Sequence, residues 1–176
     1  YNNAPHIESI EPNSIKQLTC NTTREIEDII YYYKNKTFME YIVEAIIFLY
    51  KKDDPSKQSI WSTDSSRNNY IIKELLHDKN SKWVIDKKGI KSETYLIDPI
   101  LTFIREKVCT YVEKVPVLIK SNISKVDMEI MVENQNYGNQ LIKEIDNGTL
   151  STEIIKKLSK HMHHKKDNTL LIEEVD

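Results

Sequence analysis

Residues 60–70 read IWSTDSSRNNY, and residues 82–92 read KWVIDKKGIKS. Each holds a Trp-x-x-Asp, Trp61 to Asp64 and Trp83 to Asp86, and the chain has no other tryptophan. Around them the chain changes character. SIWST, NNYIIK, KWVID and ETYLI are short runs rich in β-branched and aromatic residues, the composition of strands. Between KWVID and ETYLI lies DKKG, which suits a type I turn with Gly89 in the left-handed region after it. DSSRN between the first two runs is also led by Asp, with Asn able to turn left-handed. The pattern places each Trp on a strand, with Asp64 and Asp86 closing the turns by accepting backbone amides. Two β-hairpins over 57–98, joined as one small antiparallel sheet, are the expectation. YIIKELLHDK also reads as a short helix, and that alternative stays open.

On either side the period is helical. Thr22 and Glu25 form a capping box, followed by Ile26, Ile29, Ile30 and Tyr33 on one face. TFMEYIVEAIIFLYKK is apolar on most sides and predicts a central buried helix with Phe38, Ile42, Ala45, Ile46 and Leu49 innermost. After the sheet, Asp98–Pro99 opens a helix that Pro116 should stop. A second helix runs from about Ser124 to Asp146 and ends at Asn147–Gly148, and a third starts at Ser151. The expected organisation is an extended arm over 1–20 and one α+β domain over 21–165. Within it lie a helical hairpin (21–53), the β-hairpins (57–98) and a helical C-terminal part (99–165). A frayed tail covers 166–176.

The totals exclude several classes. With 25 Lys+Arg against 27 Asp+Glu the formal charge is −2, so no global basic field exists and any electrostatic site is local. Three glycines leave no phosphate loop and no dinucleotide fingerprint. Cys20 and Cys109 stand far apart without a Cys-x-x-Cys, and two reduced thiols are expected rather than a disulfide. The sequons at Asn21, Asn35, Asn122 and Asn147 fit chance in a chain rich in Asn, Ser and Thr. No run approaches the ~20 apolar residues of a membrane span.

Candidate sites gather in the hairpin region. Residues 57–91 hold eight Lys/Arg against four acids. Arg67, Lys73, Lys79, Lys82, Lys87, Lys88 and Lys91 are the candidates for phosphate contact, and aromatics on a sheet can stack bases. Set against this, Trp61, Asp64, Trp83, Asp86 and Gly89 read as a structural motif of core tryptophans and turns. Arg67 suits an aspartate partner or a phosphate. Asp64, Asp86 and Glu93 with Lys88 could be drawn as a metal-dependent nuclease, although turns already explain both aspartates. His161, His163 and His164 fit a polar helix end better than a metal site. No catalytic residue, metal or cofactor is assigned.

Residues 59–107 resemble the C-terminal region of uncharacterised giant-virus proteins, those of the mimivirus-like nucleocytoplasmic large DNA viruses. The positions that carry it are Trp61, Asp64, Ser66 and Arg67, then Trp83, Asp86 and Gly89, then Pro99. The resemblance implies a viral origin, with the host cytoplasm, the viral factory or the virion as its place, and attaches no chemistry. The expected function is a non-enzymatic viral module that binds nucleic acid, or a nucleic-acid machine, through the basic hairpins. Its rival is a protein-interaction module, antagonising a host factor or building an assembly, with a purely structural sheet. No membrane partner is expected, and the oligomeric state stays open.

Overall fold

The computed structural model describes residues 3–15, 18 and 20–163; the expected tail over 166–176 and His164 lie outside them. The chain is α+β, with helices α1 (Thr23–Lys34) and α2 (Phe38–Tyr50) leading into strands β1 (Ile60–Asp64), β2 (Asn69–Leu75) and β3 (Ser81–Asp86). Helices α3 (Ile90–Ser92), α4 (Asp98–Ile119), α5 (Lys125–Asp146) and α6 (Thr149–His161) complete the order. The sheet is antiparallel in the order β1-β2-β3. Among the described residues no helix is long and apolar enough to cross a membrane.

The local signals at helix starts act as their chemistry dictates. Thr22 Oγ1 accepts the Glu25 amide at 3.2 Å, and the Glu25 carboxylate accepts the Thr22 amide at 2.9 Å. Ser124 caps α5 by accepting the Asp127 amide at 3.1 Å. On α2, Phe38, Ile42, Ala45 and Ile46 are buried together with Val43. Leu49 is only partly buried, against the same core.

The expected fourth strand does not form. ETYLI (93–97) is a π-helical stretch on a helical path that runs from Ile90 through Glu93–Ile97 into α4. The reason is that its apolar residues continue the buried stripe of α4. Ile97, Leu101, Ile104, Val108, Tyr111 and Val115 recur at steps of three and four, and all are buried. Such a stripe satisfies a helix face and not a pleat. Each of these aliphatic side chains contributes on the order of 1.5–3 kcal/mol by leaving water. Pro99 sits inside this path just after the widened turn, where the Asp98 amide bonds the Glu93 carbonyl. π-bulges are a recognised way for a helix to absorb an irregularity.

DKKG therefore starts a helix instead of closing a hairpin. Lys88 and Gly89 both take positive φ, 63° and 70°. A Cβ at position 89 would lie 2.6 Å from Ile155 Cγ1, so the glycine is needed for its conformation and for space. Pro116 does not end its helix either, for α4 continues to Ile119. A proline there removes one donor, and the carbonyl it deprives finds another on α5. At Gly138 the α4–α5 approach is close, as a Cβ would meet Val112 Cγ2 at 2.9 Å.

The segment expected as an extended arm is built into the domain. Ala4, Ile7, Ile10, Ile15, Leu18 and Cys20 are all buried. Ile7 N–H donates to the Lys73 carbonyl at 2.6 Å, and Ile10 N–H to the Tyr95 carbonyl at 2.9 Å. At the other end of the chain, Ser62 N–H donates to the Met162 carbonyl at 2.7 Å, and His163 lies parallel to Ser62. Burial pushes the Cys20 thiol up to about 11, and both cysteines are free thiols.

Candidate interaction surface

The pleat sorts the sheet into two faces. The inner face carries Ile60, Tyr70 and Ile72 into the core, and the Tyr70 hydroxyl donates to the Ile155 carbonyl at 2.6 Å. Glu74, on the same side, accepts from Lys91 Nζ at 2.5 Å and from the Tyr95 hydroxyl at 3.1 Å. The outer face carries Trp61, Ile71, Lys73, Leu75, Trp83 and Ile85, with Trp61 opposite Ile71 and Lys73 opposite Trp83.

The two Trp-x-x-Asp units share one chemistry in two settings. Asp64 Oδ1 accepts from the Ser66 amide (3.0 Å), the Ser66 hydroxyl (2.6 Å) and the Arg67 amide (3.3 Å). The Ser66 hydroxyl bond is the main reason the Asp64 carboxyl is held below its usual range. Asn68 takes the left-handed conformation there, φ 54°. Asp86 accepts the Lys91 amide at 3.0 Å, the Ser92 amide at 2.8 Å and the Ser92 hydroxyl at 2.7 Å, so it caps the helix start rather than a hairpin.

The basic candidates separate into four groups. Lys73 is not at the surface: it is 4% exposed, and its Nζ donates to the Ala4 carbonyl at 2.6 Å under the N-terminal segment. Lys91 is neutralised locally by Glu74. Arg67 is exposed, with its Nε 3.6 Å from Asp64, the aspartate partner its position suggested. Lys79, Lys82, Lys87 and Lys88 make no ion pair among the described residues. Lys79 precedes β3, Lys82 is on it, and Lys87 and Lys88 come after it, so the outer members stand at opposite ends of a six-residue strand.

The tryptophans are not open stacking platforms. Trp61 is 8% exposed, and Trp83 is half-buried with its indole N–H out of solvent and without an acceptor among the described residues. The side chains that the outer face shows most to water are aliphatic. Ile85 is 63% exposed and Leu75 50%. Period two in KWVID places Trp83 and Ile85 on one face. Nothing in it tells that the N-terminal segment covers one part of that face and leaves Ile85 uncovered.

The carboxylates do not assemble a cation site. Both oxygens of Asp86 are engaged by the helix start. Glu93 is raised above its usual range, first by burial and then by Asp98 and Asp86. Among the described residues no three His, Cys, Asp or Glu side chains could hold a metal ion. A groove between α2 and α6 is lined by Glu40, Glu44, Lys157, Lys160 and His161, and there Glu40 and Lys157 pair at 2.8 Å. Comparison with known families, with curated proteins and with solved structures gives no match.

Proposed function

We propose that this chain is a non-enzymatic protein-interaction module that docks a partner on the β3 side of its sheet. The observation that carries the reading is Ile85, a large aliphatic side chain 63% exposed on a strand with no neighbour beyond it among the described residues. Ile85 adjoins the half-buried Trp83 on the same strand face, and a contiguous apolar patch rimmed by polar groups marks an interaction site where a singly exposed side chain does not. The viral origin implied by the resemblance of residues 59–107 would make the module an antagonist of a host factor or a scaffold in a viral assembly. A second reading, nucleic-acid contact, is supported by the four unpaired lysines around β3. Its weight falls because Lys73 and Lys91 are engaged and Trp61 is covered.

Selection of displayed random peptides on the full chain tests the first reading, with an Ile85→Asp variant as the comparison. Peptides that bind the parent and lose roughly tenfold or more on the variant are expected. Anisotropy titrations with single- and double-stranded DNA and RNA at two salt concentrations test the second. A steep salt slope that Lys87→Glu/Lys88→Glu reduces by about two for duplex DNA, with no selected peptide sensitive to Ile85→Asp, would reverse the order of the readings.

A further inference from the structure

The mode of docking is set by the register of the ladder, and it rests on the protein-docking reading above. In an antiparallel sheet, alternate residues turn their N–H and C=O to one neighbour and then to the other. Lys73 donates its N–H to the Ser59 carbonyl at 2.9 Å, and its carbonyl accepts Ile7 N–H, so both its peptide groups point to the β1 side. Trp83, its partner on β3, therefore points both peptide groups away from β2. Period two gives the same to Ser81 and Ile85. On the opposite edge the equivalent outward amide, that of Ser62, is taken by Met162. Among the described residues nothing takes those of Ser81, Trp83 and Ile85. Among the described residues one edge of the sheet is closed and the other is open.

We propose that β3 receives an extended acidic peptide as a fourth strand, held by main-chain bonds to Ser81, Trp83 and Ile85. Charge selects the occupant. Lys79, Lys82, Lys87 and Lys88 surround the edge, and the only carboxylate of residues 78–88 that faces solvent is Asp78, because Asp86 is buried in its cap. A second copy paired edge to edge would bring the two lysine sets together, which disfavours self-association. An acidic segment with β-branched residues at alternate positions gains from the same lysines and meets Ile85 with an apolar side chain.

The experiment uses the full chain and two fluorescein-labelled peptides, EETVTVTEE and KKTVTVTKK, in anisotropy titrations. The acidic peptide is expected to saturate and to bind at least roughly tenfold tighter than the basic one. Methylating the backbone nitrogens of alternate peptide residues on one edge should abolish binding, while the other register leaves it unchanged; this arm does not depend on any variant folding. Ile85→Pro removes an outward N–H and no bond of the β2–β3 ladder, and should also abolish binding with the circular dichroism retained. Equal binding of the two peptides overturns the proposal, as does indifference to both methylation registers. So does a sedimenting dimer that Ile85→Pro dissociates, which would give the edge to a second copy. If selected peptides respond to Ile85→Asp but to neither backbone change, strand pairing falls and the docking surface stands.

Discussion

The side-chain amide of Gln135, on α5, donates to the backbone carbonyl of Val112, on α4, at 3.3 Å. Residue 116, which would ordinarily supply the donor for that carbonyl, is proline. A residue on the neighbouring helix thus replaces the bond that the proline removes. Gln135→Ala should cost about 1 kcal/mol in urea unfolding, because a part-buried acceptor loses its partner. In a Pro116→Ala background the same change should cost clearly less, and a double-mutant cycle would show coupling of about 0.5–1 kcal/mol. Strict additivity would mean that the two residues are independent.

The two left-handed glycines separate conformation from space. Gly89 and Gly148 have φ of 70° and 76°, but a Cβ on Gly148 meets nothing within 4 Å whereas one on Gly89 strikes Ile155. Gly148→Ala should cost about 1–2 kcal/mol from backbone strain alone. Gly89→Ala adds overpacking and should cost at least about 1 kcal/mol more. Equal midpoint shifts in urea would show that the Ile155 contact relaxes without penalty.

Trp61 and Trp83 differ in what truncation removes. Trp61→Ala should cost about 3–5 kcal/mol, as for a buried aromatic, and Trp83→Ala less. Trp83→Phe should stay within about 1 kcal/mol of the parent, because it deletes a buried N–H that has no acceptor among the described residues. A loss from Trp83→Phe as large as from Trp83→Ala would point to an acceptor for that indole.

Glu93 predicts a pH dependence of defined sign. Its carboxyl is raised by burial, with Asp98 and Asp86 adding to it. A carboxyl raised on folding holds its proton more tightly in the native state. Its contribution is complete below the ordinary Glu range and is lost as pH rises through the raised value. Glu93→Gln should therefore raise the melting temperature at pH 7 and lose that advantage near pH 4. A variant that gains equally at both pH values would assign the effect to packing.

Much of the helix chemistry is legible in the sequence because it is local. Thr22 with Glu25, Ser124 and Asp64 each act on amides two or three residues away, within reach of any sequence reading. ETYLI misleads because five residues cannot distinguish a pleat from a helix face. Only its spacing to Leu101 and Ile104, across Pro99, resolves it. Pro116 reads as a stop because its remedy, Gln135, lies 19 residues away on another helix. The N-terminal isoleucines show no period because each packs on a surface made elsewhere in the chain. For the same reason Lys73 reads as a surface lysine, its cover being Ala4, 69 residues earlier.

The bond from Ser62 to Met162 also sets an order of events during synthesis. Ribosomal elongation proceeds at about 5–20 residues per second, so β1 emerges roughly 5–20 s before the segment that closes its edge. Through that interval a nascent chain carries both margins of its sheet unsealed. The early hydrogen bond from Ile7 to Lys73 can form as soon as β2 appears and leaves the β1 margin exposed. Slowing translation between positions 75 and 160 should therefore lengthen chaperone engagement of the nascent chain. Speeding it over the same interval should shorten the period in which two half-made chains on one polysome can pair with each other.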